Sequence, residues 1–295
     1  MSRLNCRKLC LQMFHILLLA ALGIVVTLVV TLLAWQRRLV FFPDSYQPLD
    51  EQEARRSLQI VEYETSEGAQ AAFYVRPRLG DRPEWLWVVH GGNASRALDW
   101  RSFVEDFPDS HTAFLLIDYP GYGLNEGKPS RRAIIEASQA ALQRTRETVL
   151  AADDGSTSTV HLGLLGHSIG AAATLDLAVC CDAERVVLIA PFTSLMAMAR
   201  RTVGWPLCLL LLDRFDNARR LEELATRADR PAMTIFHGTA DEIIPYHMGR
   251  SLADAHRDWV RFYSVPDGHH GWIIESARPA IHEAMMGEKH VFSLR

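Results

Sequence analysis

The chain has 295 residues, a formal net charge of −4 at pH 7 and five cysteines. With no basic stripe in its soluble part it does not read as a nucleic-acid binder, and an odd number of irregularly spaced cysteines argues against a disulfide framework or a zinc module. Neither a phosphate-cradling G-x-x-x-x-G-K-[ST] loop nor a Rossmann-type glycine fingerprint is present, so no cofactor is expected.

Residues 14–35, FHILLLAALGIVVTLVVTLLAW, form an apolar stretch broken only by His15, Thr27 and Thr31. About 20 apolar residues span the hydrocarbon core of a bilayer as a helix. Trp35-Gln36-Arg37-Arg38 follows in place of a small-residue cleavage site, so an uncleaved single-pass anchor is expected rather than a signal peptide. Arg3, Arg7 and Lys8 precede the span and Arg37 and Arg38 follow it. That slight N-terminal excess predicts a cytoplasmic stub over 1–13 and a domain on the periplasmic or lumenal side. Cys6 and Cys10 beside the span are of the juxtamembrane kind that can be acylated. Residues 36–56, with Pro43, Pro48 and mixed charges, read as a linker, and 57–295 as one α/β domain.

Within that domain, strands are expected near 57–64 and 70–76 as an edge hairpin, then near 84–90. The third strand runs into His90-Gly91-Gly92-Asn93-Ala94-Ser95, with a helix near 97–106. A strand near 112–117 leads to Asp118-Tyr119-Pro120-Gly121-Tyr122-Gly123, a rigid turn in which Asp118 reads as structural. A helix near 130–150 and a strand near 159–165 follow, then Gly166-His167-Ser168-Ile169-Gly170 and a helix near 168–181. After a strand near 185–190 comes an apolar stretch, 192–216. It reads as a possible cap, which would favour acyl or other apolar substrates, or else as ordinary core packed on the sheet. The remaining elements are helices near 217–228, 246–257 and 271–286 and strands near 232–237 and 260–265. Strands alternating with helices predict an α/β fold: a mostly parallel eight-stranded sheet flanked by helices.

The segment at 166–170 carries the most chemistry. It fits G-x-S-x-G between a buried strand and an alanine-rich helix, the context of a nucleophile elbow. Small neighbours leave the Ser168 hydroxyl standing clear of the turn. The bland alternative is a loop serine that caps the following helix. An acid and a base are then expected further along the chain. Asp241 sits just past the strand ending at His237, where ligand-facing groups collect in open α/β sheets; Glu242 is the rival carboxylate, and helix capping the bland alternative for Asp241. The base is sought in Pro266-Asp267-Gly268-His269-His270-Gly271-Trp272. His269, directly after Gly268, is taken as the base, with His270 opening and seating the final helix. Ser168 would attack a carbonyl, His269 would move the proton and Asp241 would hold the imidazole. The oxyanion donors would be the N–H of Ile169 and that of Gly92 or Asn93, with Gly92 preferred.

With these motifs in place, the chain resembles the α/β-hydrolase superfamily, and within it the bud-emergence-homologue group of membrane-anchored serine hydrolases. The matching stretches are VVHGGNAS (88–95), LLIDYPGYGLNEGKPS (115–130), LLGHSIGAAAT (164–174), LIAPFTSL (188–195), FDNARRLEEL (215–224), IFHGTADEIIP (235–245) and VPDGHHGW (265–272). Related chains usually show His-Gly-Asn where this one has His90-Gly91-Gly92-Asn93, and often Asn at the position of His270. The resemblance implies an α/β-hydrolase fold and serine-hydrolase chemistry. The expected function is hydrolysis of an ester or thioester in an acyl-ester, lipid or acylated-protein substrate, through an acyl-enzyme. A catalytically silent membrane scaffold and a serine peptidase are the alternatives.

Overall fold

The computed structural model of the chain describes residues 3–151 and 159–287, with side chains from residue 11 onward. The last residues of the expected domain, 288–295, and the side chains of Arg3, Cys6, Arg7, Lys8 and Cys10 lie outside the described residues. A helix, α1 (Arg3–Val40), opens the chain. Within Leu11–Val40 the most apolar 18-residue window has a mean hydropathy of 3.0 and is not buried against the rest of the protein. Among the described residues it is the one helix long and apolar enough to cross a membrane.

The stretch expected as linker is ordered and partly helical. Helix α2 (Pro48–Ser57) has Asp50 and Glu51 in its first turn and Arg55 and Arg56 in its last. Pro48 starts this helix rather than breaking a chain, because the first helical position needs no N–H donor. The charges complement the helix dipole. Strands β1 (Gln59–Thr65) and β2 (Gly68–Val75) form the edge hairpin. Then come β3 (Trp85–His90), α3 (Arg101–Glu105), β4 (Thr112–Ile117), α4 (Arg131–Thr148), β5 (His161–His167) and α5 (Ile169–Ala178). The second half adds β6 (Arg185–Ile189), α6 (Leu195–Val203), α7 (Asn217–Ala225), β7 (Ala232–Gly238), α8 (Tyr246–Ala255) and β8 (Val260–Val265). The expected last helix is divided into α9 (Ile273–Ser276) and α10 (Arg278–Met286), where Pro279 interrupts the backbone ladder.

The eight strands pair in the order β1-β2-β4-β3-β5-β6-β7-β8. From β4 to β8 all pairs are parallel. Near-continuous apolar strands such as β4 (TAFLLI, all buried) fit a sheet covered on both faces. One face packs Leu175, Leu221 and Leu252 of the crossover helices against Leu164 and Ile235. The other packs Trp100, Phe103 and Met285 against Leu165 and Phe236.

A third cluster forms past the strand ends. There Phe41, just beyond α1, is buried with Tyr119, Tyr122, Ile169, Phe192 and Phe215. The Phe42 N–H is shared between Asn93 Oδ1 and the Tyr122 hydroxyl, each at 3.0 Å. The Gly123 N–H donates to the Asp44 carbonyl at 2.8 Å. Tyr46 donates its hydroxyl to Asp118 Oδ2 at 2.7 Å, and Asp118 Oδ1 accepts the Ala97 N–H at 2.7 Å. Asp118 thus ties the stretch after α1 to the site-bearing loops, as befits a structural carboxylate.

Several buried histidines set the acid response of this fold. Burial lowers His90 and His167 to a pKa of about 3 and His282 to about 4, so all three are neutral when folded. Each takes up a proton on unfolding below the ordinary histidine value of about 6.5 and so costs stability as pH falls, about 1.4 kcal/mol per pH unit. Buried Asp118, pushed up to about 6 chiefly by desolvation, acts in the opposite sense between about 4 and 6. The net expectation is a loss of roughly 3 kcal/mol per pH unit on acidification through that window. Urea unfolding of the detergent-solubilised chain from pH 7 to 4.5 measures it; a flat profile would contradict the buried neutral histidines.

Candidate active site

Ser168 joins β5 to α5 with φ 59° and ψ −121°, a strained conformation for a residue bearing a side chain. Tight packing holds it there. A methyl group on Gly170 would lie 2.3 Å from the His90 carbonyl oxygen, and one on Gly166 2.3 Å from the Gly170 carbonyl oxygen. Both glycines of the motif are therefore demanded by close backbone approach. Ser168 occupies the N-cap position of α5 but makes no side-chain capping bond. Its hydroxyl is committed elsewhere, which removes the capping alternative.

The partner of that hydroxyl is His270. His270 Nε2 lies 3.0 Å from Ser168 Oγ, and its Nδ1 lies 2.8 Å from Asp241 Oδ2. With the proton on Nδ1 donated to the carboxylate, Nε2 accepts from the serine hydroxyl. The geometry therefore departs from the expectation for His269: its neighbour His270, not His269, lies between Ser168 and Asp241. The His269 side chain is 58% exposed and pairs with Glu242 Oε2 at 3.2 Å. Its carbonyl accepts the N–H groups of Trp272 and Ile273, so His269, not His270, leads into the final helix.

The reason lies in the turn. Gly268 is wedged against Gly238, where a methyl group would meet the Gly268 oxygen at 2.0 Å. The Ala240 N–H also donates to that oxygen, at 3.2 Å, and Asp267 adopts φ 52°. The turn is thus spent at Gly268, and the next two side chains diverge, His269 toward water and His270 toward Ser168.

Asp241 is held on both oxygens. Oδ1 accepts the N–H groups of Ile243 at 2.9 Å and Ile244 at 2.7 Å, leaving Oδ2 for His270. The buried His237 stands behind it. His237 Nε2 donates to the Ile244 carbonyl at 2.9 Å and lies 3.4 Å from Asp241 Oδ2. Among the described residues its Nδ1 has no hydrogen-bond partner and faces Gly249, which leaves Nε2 as the donor to Ile244. Burial alone would raise the Asp241 carboxyl, but hydrogen bonds from His237 and His270, electrostatic attraction to the His270 ring and the Ile244 N–H outweigh it. The group is held well below the usual carboxylate range. Glu242 points away and accepts the His270 backbone N–H at 3.2 Å, bracing the loop. His167, neutral, contacts the His270 carbonyl through Nε2 at 3.2 Å.

Ile169 begins α5, where backbone N–H groups are free for a ligand. Gly92 lies against the nucleophile: a Cβ there would sit 3.6 Å from Ser168 Cβ. The buried Tyr119 donates its hydroxyl to the Gly91 carbonyl at 2.6 Å. That bond orients the planar Gly91–Gly92 peptide, whose N–H points opposite to its C=O. The Asn93 side chain is occupied by Phe42 and Tyr122.

Ser168 and His270 open into a cavity of about 790 Å³. Residues of 192–216 line it: α6 contributes Leu195, Met198 and Thr202, and the following turn Leu207, Leu210 and Leu211. Leu32, Gln36 and Leu39 of α1 complete the wall. Among the described residues no group of three or more His, Cys, Asp or Glu is arranged to hold a metal ion.

Residues missed in the sequence are those that hold others. His237 and Tyr119 sit at strand ends beside recognised motifs, and only their neighbours in space reveal their use.

Residues 88–224 match the family model described as an alpha/beta hydrolase family. An uncharacterised protein of Mycobacterium tuberculosis is 27% identical over 92% of this chain and 90% of its own length. Alpha/beta hydrolase domain-containing protein 17B of Xenopus laevis is 33% identical over 46% of this chain and 42% of its own. Among solved structures, a Pyrococcus furiosus esterase superposes with a TM-score of 0.60 at 12% identity, covering 83% of this chain and 97% of that one. The esterase domain of a Rhodothermus marinus protein does so with a TM-score of 0.54 at 17% identity, covering 78% and 95%. The eight-stranded sheet, its topology and these likenesses together show that the chain has the α/β-hydrolase fold.

Proposed function

We propose that the protein is a membrane-anchored serine hydrolase that cleaves carboxylic ester or thioester bonds of acyl substrates through a Ser168–His270–Asp241 triad. The observation that carries this reading is the continuous hydrogen-bonded chain from Asp241 through His270 to a strained, uncapped Ser168 on the wall of an apolar cavity. Ser168 Oγ attacks the carbonyl carbon while His270 Nε2 takes its proton. The oxyanion is met by the N–H groups of Ile169 and Gly92. Collapse expels the alcohol or thiol, which leaves with the proton from His270. Water, deprotonated by His270, then attacks the acyl-enzyme and frees the carboxylic acid and Ser168. Asp241 keeps the imidazole in the productive tautomer and stabilises the imidazolium. Helix α1 serves as the anchor. Its flanking charges favour a cytoplasmic N-terminus and a hydrolase domain on the periplasmic or lumenal side.

Labelling of the full chain with a fluorophosphonate probe tests the proposal, with turnover of acyl esters of graded length. Covalent labelling of wild type and none of Ser168→Ala is expected. A folded wild type that neither labels nor turns over esters would sink the reading.

Tyr119 offers a test of the oxyanion loop. Tyr119→Phe strips the donor from the buried Gly91 carbonyl, a change worth about 1–3 kcal/mol. The slackened Gly92 N–H should lower kcat about tenfold with KM little changed, since the oxyanion exists only in the transition state. A rise in KM at constant kcat would place Tyr119 outside this role.

A further inference from the structure

We propose that the outward face of the cap, Trp205, Leu209 and Leu212, docks into the headgroup–acyl boundary of the bilayer that α1 spans, so that the cavity over Ser168 draws its acyl chain from a membrane lipid ester. This rests on the reading of α1 as a span and of Ser168 as the nucleophile of an acyl-ester hydrolase.

The cap is pinned to the end of α1. Buried Gln36 donates Nε2–H to the Leu210 carbonyl at 3.2 Å and accepts the Leu212 N–H at 2.8 Å. Next to it, Arg37 pairs with Asp213 at 2.9 Å, and Asp213 also accepts the Arg131 N–H at 2.9 Å. The apolar run of the helix ends at Trp35, one residue before Gln36. Residues 209–212 are therefore held at the level where a spanning helix leaves hydrocarbon, about 6 Å short of its last residue.

At that level the cap sorts its side chains in two directions. Cys208, Leu210 and Leu211 face the cavity. Trp205, Leu209 and Leu212 face outward, 73%, 52% and 58% exposed. Large apolar side chains grouped on a surface mark an interaction site. Here the segment that bears them is tied to the end of the span through Leu210 and Leu212. The flanking chemistry suits the boundary as well: Arg38 lies over the Trp35 ring at 4.9 Å, and Arg200 and Arg201 close α6. Tryptophan and arginine are the side chains that settle at headgroup level.

The cavity supplies the substrate. Its wall includes Leu32, Gln36 and Leu39 of α1 itself. A chain passing between α1 and the cap would move from hydrocarbon to Ser168 along apolar side chains, leaving its ester at the triad.

The test uses the full chain reconstituted in phosphatidylcholine vesicles. Retention in the pellet after carbonate extraction checks the span, and fluorophosphonate labelling checks the nucleophile and the folding of each variant. Vesicles with brominated acyl chains should quench tryptophan emission, and Trp205→Phe should lose part of that quenching. Leu209→Asp combined with Leu212→Asp should slow hydrolysis of a long-chain ester in vesicles at least tenfold while leaving a short soluble ester unaffected. With span and labelling intact, an unquenched Trp205 or wild-type vesicle turnover by the double variant overturns the docking. Cross-linked pairs of chains on the vesicle that shield Trp205 overturn it in favour of a second copy. Cleavage of an S-acyl peptide with none of the lipid ester overturns the substrate. Loss from the pellet, or a wild type that does not label, overturns instead the reading on which the docking rests.

Discussion

His270→Ala lowers kcat by about 10⁵- to 10⁶-fold, while His269→Ala leaves it within about twofold: this is the expected outcome that divides the two adjacent histidines. The large effect follows from the role of the ring. His270 alone bridges Ser168 Oγ and Asp241 Oδ2, so its removal leaves the serine with no base and the acid with nothing to hold. The loss of one member of such a unit costs nearly as much as the loss of all. His269 is exposed, and its side chain pairs with Glu242, itself a surface group. Its contribution to the turn is made by its backbone carbonyl, which alanine keeps. Steady-state turnover of an acyl ester decides the matter, with thermal unfolding confirming that both variants fold. The reverse pattern would show that the loop rearranges in the working enzyme.

The same pair shows where sequence reading reaches its limit. The elbow was legible because its requirements are local. A strand, two glycines separated by three residues and a small-residue helix are all contiguous, and Gly166 and Gly170 meet the demands read from them. The strands were legible because both faces of the sheet are covered, which writes long apolar runs into the chain. The place of Asp241 was legible because it follows closely on the end of β7, where the structure sets it 2.8 Å from His270 Nδ1. The orientation of two adjacent side chains in a turn is not local. It depends on Gly268 meeting Gly238, a residue thirty positions earlier, and no spacing records that contact. The stretch from 36 to 56 hid its structure for a related reason. Its prolines and charges read as a linker, yet Phe41, Tyr46 and Gln36 find partners at 119–122, 118 and 210–212. Those contacts turn an expected tether into part of the site's foundation.

Asp241→Asn is expected to lower kcat about 10⁴-fold, the scale seen when a triad acid is made neutral without changing its shape. The geometry explains why shape would survive. Asparagine keeps an oxygen to accept the Ile243 and Ile244 N–H groups, so the loop stays closed. What it cannot keep is a second acceptor toward His270 Nδ1. Facing an amide N–H there, the imidazole moves its proton to Nε2, where it meets Ser168 Oγ as a donor and cannot act as a base. The imidazolium of the transition state also loses its counter-charge, in a spot where Asp241 is held strongly ionised. Glu242→Gln is the matched control. Its Oε2 accepts from the exposed His269 ring and the His270 backbone N–H, and glutamine retains an acceptor for both. That variant should stay within about threefold of wild type, since surface changes of this kind are worth about 0.5 kcal/mol. Measured kcat/KM for the pair decides between the carboxylates: equal losses would spread the role over both, and a larger loss at Glu242 would move the acid one residue along the loop.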